Sequence, residues 1–362
     1  MYFNIVFFAT FLALFDSIHN WSFDHLNLDE EKISLSRIVV VSTNRAIVAI
    51  PRINQTQTVT LVEVPWPENS SKPLFSPRAY PNLPSQELGE CSELQSAITM
   101  DTDGNKGHLY VLDQGWKDIC PPKIIVYSLL TNKRLLQKEL QNVPVDSLSS
   151  LTVDATPYKK GIKVILGDAG RTSLLVYNFE KHIWWRLVLN KNFKMCDEFI
   201  TSNDGDFIKI DEKWSFSMNQ LALSRKSSVL YATSSESVEL FTIDLKQLRR
   251  IEEPSKLHYN WYDYNDTDIS FQYIGNKFGK SKAIFVDSKD NLYYFYQRDY
   301  AVIRWNTNTP FMDEYMNVVL QDDKSMPHVT QIFADLARPT RQLWVLNSKR
   351  NDNLSYTVKL MT

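Results

Sequence analysis

The chain has 362 residues, of which 43% are hydrophobic and 12% aromatic, and it contains only ten glycines. Glycine is 10/362, or about 3%, against a usual ~7%, and the hydrophobic content is high, so collagen-like and disordered chains are excluded. Forty basic and 42 acidic residues give a net charge of −2, and no run is rich in lysine or arginine. Nucleic acid is therefore not expected as a partner.

The first segment, Tyr2–Phe15, is an uncharged apolar run that ends at Asp16. A membrane-spanning helix needs ~20 apolar residues, whereas the apolar region of a secretory signal is shorter. The run therefore predicts a signal peptide over residues 1–20, with cleavage near 17–20, rather than a membrane span; a buried helix or strand is the alternative. We expect a single domain over residues 21–362 and a secreted, extracellular protein.

Asn-x-Ser/Thr triplets support the same compartment. The triplet at Asn20 lies at the predicted cleavage site. The other four lie in polar stretches that we expect in loops or at strand ends, where a glycan is tolerated. They are candidate glycosylation sites at Asn54, Asn69, Asn265 and Asn353.

The chain has three cysteines, Cys91, Cys120 and Cys196. In an oxidising compartment Cys91 and Cys120 form the natural pair, because they are 29 residues apart and flank a predicted hairpin. Cys196 is then a buried free thiol, an intermolecular link or the survivor of a second bridge. Their spacing matches no zinc motif, and no metal or cofactor is predicted.

Six times along the chain, a short apolar strand ending in Asp or Ser is followed by a polar turn, a second apolar strand and then a third. First strands are predicted at Val39–Ser42, Ile98–Asp101, Leu151–Asp154, Leu221–Ser224, Ile284–Asp287 and Ile332–Asp335. Second strands are predicted at Ala46–Ile50, His108–Leu112, Lys163–Leu166, Val229–Ala232, Asn291–Phe295 and Gln342–Leu346. Third strands are predicted at Thr58–Val64, Lys123–Leu129, Ser173–Phe179, Val238–Ile243, Tyr300–Asn306 and Tyr356–Leu360.

Equivalent positions in successive second strands are 50 to 66 residues apart, so six units of about 60 residues fill the chain. Three strands and an outer fourth, repeated six times, are typical of an all-β, six-bladed β-propeller. A two-sheet sandwich is the alternative, but a sandwich does not require strand triplets at a steady interval. Helix is expected to be scarce, since only Asp244–Arg250 has a helical pattern.

Two segments between the strands have competing interpretations. Asp101–Asn105 resembles the start of a calcium loop, but the Glu expected at position twelve is missing and Asp-Gly suits a hairpin turn, so the hairpin is preferred. Tyr259–Asp268 is dense in aromatic and acidic residues. We interpret it as an exposed loop, which either captures a ligand over a channel mouth or packs its rings on the rim.

Several motifs resemble those of the insect Yellow/major royal jelly protein family. The matching stretches are Ala49–Arg52, Gly89–Ser92, Leu109–Gly115, Cys120–Lys123, Met218–Tyr231, Val302–Asn306 and Leu343–Lys349. They cover essentially the whole mature chain, in the family's order. The chain is identified as a divergent member, because the segments Ser217–Leu221 and Ala232–Ser235 depart from the family pattern.

The resemblance implies a secreted six-bladed propeller with a disulfide between Cys91 and Cys120, and it implies that the family's second bridge is broken, since Cys196 has no partner left. In some members from blood-feeding insects, the central channel binds biogenic amines through a Thr and an Asn of the last blade. The resemblance maps the Thr to Thr330 and the Asn to Ser348. Asn347 lies one residue earlier, on the opposite face of the strand.

Trp305 is a candidate aromatic partner for an ammonium group. The candidate ligand-binding residues are thus Thr330, Asn347, Ser348 and Trp305, and the implied ligand is a small amine or catechol.

Some Yellow-type members catalyse dopachrome rearrangement in melanin synthesis, which needs a general base such as histidine. No histidine of the mature chain has a recognisable carboxylate partner in the sequence, so no catalytic residue is predicted. Non-enzymatic binding of a small molecule in the central channel is therefore preferred. An enzyme of melanin or catecholamine chemistry and a nutrient or cuticle protein are the alternatives, and the oligomeric state is left open.

Overall fold

The computed structural model describes residues 21–68, 73–104, 107–155, 161–169, 173–188, 194–195, 217–250, 263–264, 271–335, 337, 342–349 and 355–360. The predicted signal peptide, Cys196 and the triplets at Asn69, Asn265 and Asn353 lie outside the described residues. Within the described residues, no helix is long and apolar enough to cross a membrane.

The strands form six small sheets, and each sheet is one blade of a propeller. Blade one contains β1 (Arg37–Ser42), β2 (Arg45–Ala49), β3 (Leu61–Pro65) and β4 (Arg78–Ala79). Blade two contains β5 (Ala97–Thr102), β6 (His108–Asp113), β7 (Lys123–Ser128) and β8 (Arg134–Glu139). Blade three is built on β9 (Leu148–Asp154), β10 (Lys163–Asp168), β11 (Ser173–Asn178) and β12 (Ile183–Val188).

The second half of the chain repeats this plan. The two-residue strand β13 (Lys194–Met195) precedes blade four, which is built on β14 (Gln220–Ser224), β15 (Val229–Thr233), β16 (Glu239–Asp244) and β18 (Phe271–Asn276). The short helix α1 (Leu245–Arg250) and the strand β17 (Asp263–Tyr264) lie between β16 and β18. Blade five contains β19 (Ile284–Val286), β20 (Asn291–Tyr296), β21 (Ala301–Asn306) and β22 (Met316–Gln321). Blade six contains β23 (Val329–Ala334), β24 (Leu343–Asn347) and β25 (Thr357–Leu360).

The innermost strands close the ring. Those of successive blades contact one another in the cyclic order β1, β5, β9, β14, β19 and β23, and β23 contacts β1. The predicted six-bladed propeller is therefore confirmed, and so are all six predicted strand triplets and the hairpin between β5 and β6.

The third strand of blade one is shifted from the predicted Thr58–Val64 and begins at Leu61. The backbone N–H groups of Thr60 and Leu61 both donate to the Gln86 side-chain oxygen, at 2.7 and 2.9 Å. The buried Gln86 side chain therefore occupies backbone N–H groups at the start of β3, where strand pairing would otherwise continue.

Both faces of each blade are buried, because each packs against a neighbouring blade. In β2, Ala46 and Val48 belong to the core shared with blade six, while Ile47 between them belongs to the core shared with blade two. Six such cores occupy the six spaces between blades. Strands buried on both faces need continuous apolar runs, which accounts for the run AIVAI of the second strand.

The segment before β1 strengthens the junction between blades six and one. Trp21 stacks against Tyr356 with ring centroids 6.4 Å apart, and its indole N–H donates to the Pro65 carbonyl at 2.8 Å. The Leu35 N–H donates to the Ser348 carbonyl at 2.8 Å. The buried Glu68 carboxylate accepts the Thr357 backbone N–H at 2.8 Å. These contacts tie both ends of the ring together.

Blades three and four exchange their outermost strands. β13 follows blade three in the chain but pairs in parallel with β18 of blade four. β17 precedes β18 but pairs in parallel with β12 of blade three. β17 contains the described part of the aromatic and acidic segment Tyr259–Asp268, so these two residues lie at the outer edge of the ring and away from the channel.

Candidate binding site in the central channel

The six innermost strands surround a central channel with a cavity of about 150 Å³. Most of its lining residues have apolar side chains, the half-buried Phe285 of β19 among them, but polar atoms form more of the exposed wall than apolar atoms do. The polar lining residues are Arg37, Asp101, Thr102, Thr152, Arg225 and Gln331. A concave, mostly apolar site with few converging polar groups is the usual form of a small-molecule site.

Arg37, the first residue of β1, brings a positive charge into this channel. Among the described residues its guanidinium makes no hydrogen bond and no ion pair within 4 Å. Burial lowers the pKa of Arg37, and the charge of Asp101 acts in the opposite direction. Arginine remains charged in proteins, and Arg37 is half-buried, so its charge is partly withdrawn from water without a hydrogen-bonding partner.

Asp101 is the one carboxylate among the described residues of the lining, and its oxygens are already engaged. It accepts the Val153 N–H at 2.9 Å, the Thr102 N–H at 2.8 Å and the Thr152 hydroxyl at 3.3 Å. It thereby joins blade two to blade three. Arg225 is exposed and donates to the carbonyls of Thr102 and Val153 at 3.5 and 3.4 Å.

Gln331 is also occupied. Its side-chain oxygen accepts the Ile38 N–H at 2.6 Å, and its amide nitrogen donates to the Ile38 carbonyl at 3.1 Å. A register shift between Val329 and Gln331 places this side chain against β1. Gln331 therefore fastens the last blade to the first at the channel wall.

Three of the predicted ligand residues, Thr330, Asn347 and Ser348, lie together where blade six meets the start of β1. The Thr330 hydroxyl donates to the carbonyls of Leu35 and Leu346 at 3.1 and 3.3 Å. The buried Asn347 side chain donates to the Ser325 carbonyl at 2.8 Å. In the structure these groups bond the backbone beside the channel, and none is among the residues that line the cavity. Their ligand role stays a prediction.

Trp305, the fourth predicted residue, lies apart from the other three. It is buried between blades four and five, 4.8 Å from the Phe311 ring and 6.2 Å from the Tyr231 ring, and its indole N–H donates to the Pro310 carbonyl. Packing between blades accounts for this side chain, and it does not line the cavity.

The predicted bridge is present, since Cys91 and Cys120 form a disulfide. Its neighbourhood also explains Gly115, which has a φ of +80° and a position where a Cβ would lie 2.2 Å from the Cys120 carbonyl oxygen. Asn54 is exposed, and its side-chain oxygen accepts the Thr56 N–H and hydroxyl. This geometry leaves the Asn54 amide nitrogen accessible, and glycosylation there stays a prediction.

One histidine has a carboxylate partner that the sequence did not reveal. His108 Nδ1 lies 2.9 Å from the Asp103 carboxylate across the turn between β5 and β6. Four residues separate Asp103 from His108 within one hairpin connection, so their spacing could have suggested this pair. Neither residue lines the channel, which places the pair away from a ligand bound there.

Fold and site together define a class of protein, the closed six-bladed propeller with a central channel lined by apolar and polar residues. A sequence profile of the major royal jelly protein family matches residues 95–361. The chain belongs to this family.

Relatives of known name share part of the sequence. The chain is 31% identical over 199 residues to the dopaminechrome tautomerase of Drosophila melanogaster, a match that covers 51% of this chain and 41% of that protein. It is 25% identical over 270 residues to major royal jelly protein 5 of Apis mellifera, covering 69% of this chain and 41% of that one. The match thus spans less than half the length of either relative.

Among solved structures, an auxiliary nutrient binding protein from Bacteroides thetaiotaomicron has 8% sequence identity and a TM-score of 0.48, over 86% of this chain and 66% of that one.

Proposed function

We propose that this chain is a secreted protein that binds a small molecule in its central channel. The observation that carries the proposal is the channel itself, which is concave and lined by apolar side chains together with a few converging polar groups. Its volume of about 150 Å³ equals that of an apolar protein cavity known to bind benzene, ~150 Å³. A ligand with one aromatic ring therefore fits it.

Binding is supported over catalysis by the engagement of the channel carboxylate. A general base must be free to take a proton from its substrate. Asp101 instead accepts three hydrogen bonds from its own blade and the next. The described lining also contains no histidine.

Tautomerisation of an aminochrome is the second candidate function, and the 31% identity to a dopaminechrome tautomerase favours it. This candidate predicts that the purified protein accelerates the loss of dopaminechrome absorbance relative to heat-inactivated protein. Equal rates would exclude it. The location of Thr330, Asn347 and Ser348 beside the channel supports a role for them at its mouth, as contacts for a ligand that enters.

Isothermal titration calorimetry with benzyl alcohol, a neutral single-ring probe, tests the binding proposal. We expect saturable heat for the natural chain. Leu223→Trp should abolish it, because Leu223 is half-buried in the channel wall and an indole there fills the cavity. Val318→Trp is the matched control, since Val318 is 60% exposed on the outer strand of blade five.

The control variant should bind as the natural chain does, and circular dichroism should show the same strand content in all three proteins. Equal binding by Leu223→Trp would place the ligand outside the channel. An absence of saturable heat from the natural chain with neutral, anionic and cationic single-ring probes would refute the proposal.

A further inference from the structure

We propose that the channel selects a ligand that carries a negative charge, a single-ring aromatic carboxylate, and that Arg37 binds the carboxylate. This inference rests on the proposed function and deepens it, since it names the chemical class of the ligand. It differs from the amine that the family resemblance implies.

The first argument is that Arg37 has no polar partner among the described residues. Its side chain lines the cavity, yet it makes no hydrogen bond or ion pair with any other described residue. Arg37 is half-buried, and a partly desolvated charge without a partner gains from an opposite charge placed beside it. A carboxylate matches a guanidinium well, because two parallel N–H groups of arginine can donate to its two oxygens.

The second argument is that the carboxylate and the amide of the wall are engaged, and that one nitrogen of Arg225 is also engaged. Asp101 accepts three hydrogen bonds, Gln331 bonds both backbone groups of Ile38, and Arg225 donates to two carbonyls. Arg225 is exposed and makes only these two long contacts through one nitrogen, whereas Arg37 contacts no polar group of the described wall. A ligand that pairs with Arg37 needs no rearrangement of the contacts that join the blades.

The third argument is the balance of charge. Two guanidinium groups, Arg37 and Arg225, and one carboxylate, Asp101, give the described lining a net charge of +1. An ammonium ion would be repelled by Arg37 and would have to compete with three donors for Asp101. An anion gains from the same field.

The fourth argument is shape. The apolar lining side chains, including Phe285 and Leu223, offer contacts to an aromatic ring, and the cavity volume of about 150 Å³ limits the ligand to roughly one ring with a short substituent. A ring against the wall and a carboxylate on Arg37 would satisfy both parts of the site.

Calorimetric titration at pH 7 with three probes of matched shape tests the inference: benzoate, benzyl alcohol and benzylamine. For the natural chain we expect benzoate to bind at least about tenfold more tightly than benzylamine, as a charge-assisted hydrogen bond implies. In Arg37→Met, benzoate should bind about tenfold more weakly, while the affinity for benzyl alcohol stays within about twofold.

Two further variants separate binding by Arg37 from a structural effect. Arg298→Met, at an exposed position, is the matched control and should leave all three affinities unchanged. Arg37→Lys keeps the charge but not the planar pair of donors, so it should recover part of the preference for benzoate. A merely structural role of Arg37 would change the affinities for all three probes together.

The outcomes distinguish this inference from the proposed function. If Arg37→Met binds benzoate and benzyl alcohol as the natural chain does, the inference is wrong and the binding function stands. Tightest binding of benzylamine would also overturn the inference and would favour the amine predicted from the family resemblance. If the natural chain binds none of the three probes, the proposed function fails, and the inference fails with it.

Discussion

Lys277 is the buried cation whose removal should change the pH dependence of stability most clearly. It follows β18, is only 3% exposed, and donates to the Thr233 hydroxyl and, at 3.2 Å, to the Ser237 carbonyl. Burial lowers the pKa of Lys277 from 10.5 to about 7, and the charge of Glu239 opposes this shift. The folded protein thus releases a proton that the unfolded chain retains.

The sign and size of the effect follow from linkage. Between pH 7 and 10.5 the unfolded state binds one more proton at this site than the folded state, so the free energy of unfolding rises with pH across that window. The free-energy penalty for burying the charged Lys277 ammonium is fully present below pH 7 and vanishes above pH 10.5. With these two pKa values, the penalty falls by about 1.5 kcal/mol between pH 7 and ~8.5.

The assay is urea unfolding of the natural chain and of Lys277→Met at several pH values from ~7 to ~8.5. The difference in unfolding free energy between the two proteins should change by about 1.5 kcal/mol over this range, in favour of the natural chain at higher pH. The hydrogen bonds lost to Thr233 and Ser237 add a nearly constant offset, so the slope of the difference isolates the titration.

Lys280→Met is the matched control, because Lys280 is three residues away and its side chain is 59% exposed. Its difference profile should be flat over the same range. If the natural chain and Lys277→Met give parallel profiles, Lys277 does not change its protonation on folding and the reasoning from burial is refuted.

Two other predictions concern folding and secretion. Asp113→Asn should lower the free energy of unfolding by about 3–5 kcal/mol, because it leaves the buried Lys123 ammonium, 3.1 Å away, without a counter-charge. Urea unfolding measures this loss, and Asp118→Asn, at an exposed position, is the control. Equal stabilities of Asp113→Asn and the natural chain would contradict the prediction. Protein secreted from insect cells should lose one glycan in Asn54→Gln, seen as a faster band on gels; unchanged mobility would show that Asn54 is unmodified.

The strand triplets could be predicted because the propeller imposes a strong local pattern. Each strand is short, apolar on both faces and bounded by polar turns, so its existence depends on a few consecutive residues. The run of β6, His108–Asp113, shows this: Tyr110 and Leu112 face blade three, while Leu109 and Val111 face blade one.

The strand exchange between blades three and four could not be predicted. β13 and β17 have two residues each. β13 pairs with β18 rather than with β12, the strand before it, and β17 pairs with β12 rather than with β18, the strand after it. Backbone pairing at an edge needs no particular side chain, so two residues leave no pattern that names their partner. The hydrogen bonds of Thr330 and Asn347 could not be predicted for a related reason. Their side chains bond backbone carbonyls, and a backbone carbonyl leaves no pattern in the sequence that identifies its partner.

The candidate site depends on a residue that no motif contains. The motif residues Arg52 and Asp113 are buried and bond the backbone between blades one and two: Arg52 donates to the Gln95 carbonyl at 2.7 Å, and Asp113 accepts the Gln95 and Ser96 N–H groups at 2.8 Å each. Their chemistry maintains the fold.

Arg37 lies outside these stretches and before residue 95, where the match to the family begins. An arginine that starts an apolar strand resembles, in sequence, any charge at a strand end. Its position in the channel can be recognised only from the closed ring, in which the first residue of β1 becomes part of the channel wall. Membership of the family and choice of ligand are therefore carried by different residues in this chain, so a divergent member can keep the propeller while its channel takes a ligand of opposite charge.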